Sequence, residues 1–304
     1  MKKEYIDLQV NGFAGVDFST LELSYDSFMK AADAVFASGT AIFLPTIVTS
    51  DVPLYERNIG IIRDAVEKNG LQRAVPGVHL EGPFISRLPG AVGCHNPDFV
   101  RDCDPEWLLE LLDRTGNFVK MMTIAAELDG APELIKCANS RNITVSLGHH
   151  LATSADIKRC ADAGAKTLTH LANGCPNMMH RHENPVWAGL AEDRLTAMLI
   201  TDGHHLPGEL IKCMARIKTA DKIIVTSDAA PVAGLPPGRY HMLNNDAILE
   251  ENGKFHNPEK GCLVGSSASI ADCAKFLESL EIFTPEELRK VTCLNAAKLI
   301  GIEL

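Results

Sequence analysis

No run in this 304-residue sequence approaches the roughly 20 apolar residues that a membrane-spanning helix needs. The opening Met1-Lys2-Lys3-Glu4 leads into an apolar run too short for a signal peptide. Both absences predict a soluble, cytoplasmic protein. Nine cysteines are present, an odd count without a CxxC pair or other ligand-like spacing, which argues against a disulfide framework and predicts reduced thiols. Positive charge is scarce. Lys and Arg number 29 against 39 Asp and Glu, a net charge of -10, which argues against nucleic acid or an anionic membrane as partner. An anionic small molecule would need a local basic pocket. Aromatic residues are few, and the two tryptophans, Trp107 and Trp187, read as packing residues rather than sugar platforms. There is no glycine-rich dinucleotide fingerprint, no low-complexity linker and no fixed-period repeat, so residues 1–304 read as one domain.

What is present is alternation. Short aliphatic or β-branched runs at 6–10, 41–44, 75–80, 119–124, 143–147, 167–169, 195–200 and 223–226 predict eight strands. Amphipathic segments at 24–37, 54–68, 105–114, 131–140, 154–163 and 208–218 predict helices between them, several with start signals such as Thr153-Ser154 and Thr284-Pro285. Strands buried on both faces and separated by helices form parallel sheets. Eight of them predict a closed (β/α)8 TIM barrel; an open doubly wound sheet would leave the eight strands unexplained. Residues 238–265 are rich in turn formers and predict an excursion with short strands, followed by closing helices at 268–280 and 285–300.

The ends of the strands carry the chemistry. One run delivers Glu81 and stops at Gly82-Pro83; others run into His149, His170 and Asp228. In a barrel these residues meet at the C-terminal mouth. Zinc and similar ions take imidazole nitrogen and carboxylate oxygen, with three protein ligands and one open position in catalytic sites, so Glu81, His149 and His170 form a candidate metal trio. Asp228, following the last strand, is a candidate acid–base group. Alone, each is an ordinary polar residue at a strand end, and Asp228 an ordinary turn former; the pattern of four points to a hydrolytic metal site. His79, two residues before Glu81, reads as a hydrogen-bonded barrel residue.

HLEGPF at 79–84, GCHNPDFVR at 93–101, SLGHH at 146–150, THLANG at 169–174, DGHH at 202–205 and SDAAP at 227–231 occur in that order. This ordered set resembles the N-acetylglucosamine-6-phosphate deacetylase family of the amidohydrolase superfamily, from about residue 6 to 300. The resemblance implies Glu81, His149 and His170 as ligands of one divalent metal ion, Asp228 as the catalytic aspartate and His95 as a donor to the acetyl oxygen. Gln9 and Asn11 stand where many amidohydrolases carry HxH; neutral amides ligate poorly, which implies one principal metal, and zinc suits the N/O donor set. Cys94, Asn173 and Gly174 would line the substrate, and the backbone at Leu263, Val264 and Gly265 would close over it. Arg181 and His205 would bind the sugar phosphate of a neighbouring subunit in a homodimer.

Two departures accompany the resemblance. The small β-sandwich usual in the family would be missing, and an insertion surrounds Arg181 at His180–Pro185. The implied reaction is hydrolysis of the N-acetyl amide of N-acetylglucosamine 6-phosphate, in amino-sugar catabolism. A deacetylase for another N-acyl amino sugar, phosphorylated or not, and a non-catalytic sugar-phosphate-binding barrel are the alternatives.

Overall fold

The computed structural model describes residues 5–304. The chain runs β1 (Tyr5–Val10), a small antiparallel pair β2 (Gly12–Phe13) and β3 (Val16–Asp17), α1 (Tyr25–Ala37), β4 (Thr40–Val48), α2 (Val52–Lys68), β5 (Val78–Glu81), α3 (Pro105–Arg114), β6 (Val119–Ile124), α4 (Ala131–Ser140), β7 (Thr144–Leu147) and α5 (Ser154–Asp162). It continues through β8 (Thr167–Leu168), α6 (Pro185–Ala191), β9 (Thr196–Ile200), α7 (Gly208–Lys218) and β10 (Ile223–Thr226). Strands β1 and β4–β10 form one parallel eight-stranded sheet in chain order. A parallel bridge from Val10 to Ala229 brings its two edges together into the expected (β/α)8 barrel. No helix among the described residues is long and apolar enough to cross a membrane.

Local sequence explains why helices start where they do. Asp51, Asp104 and Asn184 each cap a helix that opens on a proline within its first two positions, and Thr153 and Ser269 close capping boxes with Asp156 and Asp272. Each helix then turns an apolar stripe inward; α3, for example, buries Leu108, Leu111 and Leu112 against the sheet. Full burial of one such side chain is worth about 1.5–3 kcal/mol. Inside the barrel, Ile6, Leu8, Ile42, Leu44, Met121, Met198 and Ile224 fill the lower end, plugged from below by Ala296, Ala297 and Ile300 of the last helix. The upper end is left for polar groups.

Some boundaries differ from the sequence reading. The second barrel strand runs on to Val48 rather than stopping at 44, through Pro45. The proline falls at a register shift where the ladder is already broken, and the Val10 N–H there bonds to the Thr46 hydroxyl at 3.1 Å. The third starts at Val78, because the N–H groups of Ala74 and Val75 turn back to Leu71. The short helix α6 escaped the sequence reading. Residues 238–263 build a four-stranded antiparallel sheet, β11 (Gly238–Met242), β12 (Asn245–Leu249), β13 (Phe255–Asn257) and β14 (Cys262–Leu263). Its apolar face packs Leu243, Ala247, Leu249, Phe255 and Val264 onto Val48, Ala230 and Val232 beside the barrel mouth. Helix α8 (Ile270–Ser279) follows, then α9 (Pro285–Arg289), a π-helical turn at Lys290–Leu294 and α10 (Asn295–Ile300).

Candidate active site

Glu81 ends β5, and His149, His170 and Asp228 sit just past the ends of β7, β8 and β10. The last three share an unusual backbone: φ is 51° at His149, 26° at His170 and 52° at Asp228. Side chains with a Cβ avoid this left-handed region, which costs on the order of 1–3 kcal/mol per residue. Here it turns three functional groups off the strand axis and into one cavity of about 710 Å³.

The Glu81 carboxylate is the hub. Its Oε1 lies 2.9 Å from His170 Nε2 and 3.1 Å from His149 Nε2, and the two imidazole nitrogens are 3.2 Å apart. For ligands about 2.0–2.1 Å from a tetrahedral ion, neighbouring donor atoms are separated by about 3.3 Å. The trio already stands near that spacing. Burial pushes the Glu81 carboxyl up, but the two imidazoles beside it outweigh burial and hold it well below the usual carboxylate range.

Hydrogen bonds at the far side of the ring separate His149, a ligand, from His95, a donor. His149 Nδ1 donates to the Ala91 carbonyl at 2.8 Å, so in the neutral ring Nε2 presents a lone pair towards the Glu81 oxygen. Two electron-rich atoms facing each other at 3.1 Å call for a cation between them, and such a backbone acceptor behind the ring is the usual support of a metal-bound histidine. His95 is the opposite case. It also comes close, with Nε2 3.3 Å from His149 Nε2 and 3.7 Å from Glu81 Oε2, and by distance alone Glu81, His95 and His149 form a possible ligand set. However, His95 Nδ1 accepts the Thr49 N–H at 3.3 Å, which leaves the proton of the neutral ring on Nε2. Burial, followed by the neighbouring His149, lowers its pKa to about 3, so the ring is neutral. Its inward atom is therefore an N–H, suited to an oxygen rather than a cation.

Gln9, on β1, and Asn11, just past its end, reach the two carboxylates, and Asn11 lines the cavity. Gln9 Nε2 donates to Glu81 Oε1 at 2.8 Å and Asn11 Nδ2 to Asp228 Oδ1 at 2.7 Å. The amides thus orient the two carboxylates. Burial first, and the Glu81 charge second, push the Asp228 carboxyl up to about 6. Beneath this layer His79 bonds to the Leu8 carbonyl and to Thr123, as a barrel residue should, and burial lowers its pKa to about 4.

Cys94, Asn173, Gly174, Leu263 and Gly265 all line the cavity. Gly174 also backs the ligands: a Cβ there would lie 3.0 Å from the His149 ring and 3.1 Å from that of His170. Val264 turns its side chain down into the apolar cluster under the excursion. His205 lines the cavity of its own chain, with Nδ1 2.8 Å from Asp202 Oδ2, which also accepts from the Ser266 hydroxyl at 2.7 Å. Arg181 is exposed and does not line its own cavity. Trp107 packs edge-on against Phe84, whereas Trp187 stays half exposed with its indole N–H on the Arg181 carbonyl. The sequence reading missed Thr49 and Ala91, which act through backbone atoms, and Lys260 and His204, which line the cavity.

A parallel barrel with one carboxylate, histidines and an aspartate at its strand ends defines the amidohydrolase class. No family model matches the chain. It is 30% identical over 300 residues to the N-acetylgalactosamine-6-phosphate deacetylase of Escherichia coli O157:H7, covering 98% of this chain and 78% of that protein. It is 32% identical over 309 residues to the N-acetylglucosamine-6-phosphate deacetylase of Danio rerio, covering 98% and 74%. Among solved structures, the N-acetyl-D-glucosamine-6-phosphate deacetylase of Mycobacterium smegmatis, a mutant in complex with N-acetyl-D-glucosamine-6-phosphate, superposes with a TM-score of 0.88 at 25% identity, over 98% of this chain and 77% of that one. The enzyme of the same name from Thermotoga maritima gives 0.87 at 27% identity, over 98% and 78%. The chain belongs to the N-acetylglucosamine-6-phosphate deacetylase family.

Proposed function

We propose that this chain is a cytoplasmic, zinc-dependent deacetylase that hydrolyses the N-acetyl amide of N-acetylglucosamine 6-phosphate, with residues 1–304 as its catalytic domain. The observation that carries the reading is the His149 Nε2 lone pair turned onto the Glu81 carboxylate beside His170, with Asp228 at the same rim. Glu81, His149 and His170 would hold the ion. When bound, a divalent cation supplies Lewis acidity to the acetyl carbonyl and lowers the pKa of a water towards about 7.

The chain's own groups do the rest. Asp228, oriented through Oδ1 by Asn11, takes the proton of the attacking water and returns it to the leaving nitrogen. A carboxyl poised near 6 suits both transfers near neutral pH. His95 Nε2–H donates to the oxygen that becomes negative in the tetrahedral intermediate. Cys94, Asn173 and Gly174, with the backbone of Leu263–Gly265, shape the sugar pocket. Arg181, outside its own cavity, would reach a second copy's substrate in a homodimer, while His205 meets substrate from its own chain.

A second reading, the galacto epimer as substrate, is favoured by the name of the Escherichia coli relative. The test is acetate release by metal-analysed protein across phosphorylated and unphosphorylated N-acetylhexosamines. Turnover confined to the gluco 6-phosphate supports the first reading, and turnover confined to the galacto 6-phosphate supports the second. No release from any of them refutes both.

A further inference from the structure

Asp7 is a carboxylate buried without a cation. It lies on β1 with 1% exposure, and among the described residues no Lys, Arg or His pairs with it. Such a group is among the costliest to place inside a fold unless hydrogen bonds replace its water. Four donors do so. Oδ1 accepts the Thr226 hydroxyl at 2.7 Å, the Ser227 N–H at 3.1 Å and the Gln9 N–H at 3.3 Å, and Oδ2 accepts the Ser227 hydroxyl at 2.5 Å. Burial pushes the carboxyl up, and the bonds from Ser227 and Thr226 pull it the other way. Asp7 does not line the cavity.

Three of the four donors belong to Thr226 and Ser227, the two residues that lead into Asp228. Among the described residues β1 and β10 meet without a ladder, and the bridge between these two edges is Val10 with Ala229. Asp7 stands in for the missing ladder partner, because the Ser227 N–H goes to its side chain rather than to a β1 carbonyl. With its proton on Asp7, the Ser227 hydroxyl turns a lone pair to the Ala229 N–H, 3.0 Å away. One chain of hydrogen bonds thus spans residue 228, from Asp7 through Ser227 to Ala229. On the other side the Asp228 carbonyl accepts the Ser266 N–H at 2.9 Å. Left-handed backbone at a residue with a Cβ persists only where its surroundings over-determine it, and these bonds do so for the φ of 52° at Asp228. We propose that Asp7 is a positioning residue for the proton transfers: it locks the turn that aims the Asp228 carboxylate into the cavity. This rests on the acid–base role that the deacetylase reading gives Asp228. An amide of the same shape is a poor replacement, since four donors need a group that only accepts.

The test is a double-mutant cycle on the full-length, metal-loaded protein. Asp7→Asn is made in the parent and in Asp228→Asn, and acetate release is followed on the N-acetylhexosamine 6-phosphate that the parent hydrolyses. A catalytic group misplaced by about 1 Å costs on the order of 10²-fold. In the parent, Asp7→Asn should therefore lower turnover number by roughly 10- to 100-fold, with KM within about threefold and metal content unchanged. In Asp228→Asn, where there is no base left to aim, it should cost less than about threefold, because residues that act as a unit are not additive. An equal loss in both backgrounds, or no loss in the parent, overturns the assignment. So does a lower melting temperature with full turnover per folded enzyme, the mark of a clasp that only closes the barrel. If Asp228→Asn alone keeps near-parental activity, the deacetylase reading loses its base and the role of Asp7 falls with it. If Asp228→Asn is crippled and Asp7→Asn is not, that reading stands and only Asp7 is excluded. Should Asp7→Asn fold poorly, Ser227→Ala, which keeps the carboxylate and breaks the link to Ala229, takes its place with the same criteria.

Discussion

Asn11 donates its side-chain N–H to Oδ1 of Asp228 at 2.7 Å, across the seam where the first and last barrel strands meet. One carboxylate oxygen is therefore committed to orientation, and Oδ2 is left for proton transfer. Asp228→Asn keeps the shape and removes the base. Turnover should fall by about 10²–10⁴-fold while metal content is retained. Acetate release and metal analysis on the same preparation decide it; near-parental activity would remove Asp228 from the mechanism.

His170 Nε2 stands 2.9 Å from the Glu81 carboxylate and His95 Nε2 3.7 Å from it, and the Thr49 N–H on His95 Nδ1 gives His95 different work. His170→Ala should lose the ion. His95→Ala should retain it and lose roughly 10²–10³-fold in turnover number, as when an oxyanion donor is removed. The two variants reversed, with His95→Ala metal-free and His170→Ala metal-loaded, would exchange the assignments.

Gly174 has φ of 60°, and a methyl group there would crowd the two imidazoles at 3.0 and 3.1 Å. Gly174→Ala should displace the rings and weaken metal affinity by about 10- to 100-fold, the usual cost of disturbing the support of a ligand. Competition with a chelator measures it. Unchanged affinity would show that the rings have more freedom than their contacts imply.

Asp17 ties β3 to the excursion, accepting the N–H of Ser19 at 2.7 Å and of Leu243 at 3.1 Å, and burial pushes its carboxyl up to about 6. The fold thus prefers the protonated form. Its contribution to stability is largest below the ordinary carboxylate pKa, declines as pH rises from about 4 to about 6, and is level above that. Asp17→Asn removes the titration. The melting temperature of the variant relative to the parent should therefore climb with pH across that window. A difference that is constant from pH 4 to 8 would count against a raised carboxyl.

Much of this was readable in the chain, for physical reasons. Strand runs such as Ile223–Thr226 are apolar because both faces are covered, and the polar residue that breaks each run falls at the barrel mouth. Glu81, His149, His170 and Asp228 thus stood out by position. The division between His95 and His149 did not. It depends on the backbone N–H of Thr49 and the backbone carbonyl of Ala91, groups every residue possesses, so no side chain records them. Lys260 was hidden differently, since a lysine between Glu259 and Gly261 looks like any solvated turn residue until Asn245 is seen to hold it. Pro45 shortened the second barrel strand on paper because a proline normally ends a ladder, and only the register shift beside it shows why this one does not.

The positive φ angles at 149, 170 and 228 bear on how this enzyme would respond to selection. Glycine or asparagine would sit at those positions more comfortably than histidine or aspartate does. A screen that rewards heat resistance alone should drift towards such replacements, yielding hardier barrels with nothing left to hold an ion or move a proton. Only a selection that demands turnover at every round would keep all three residues in place.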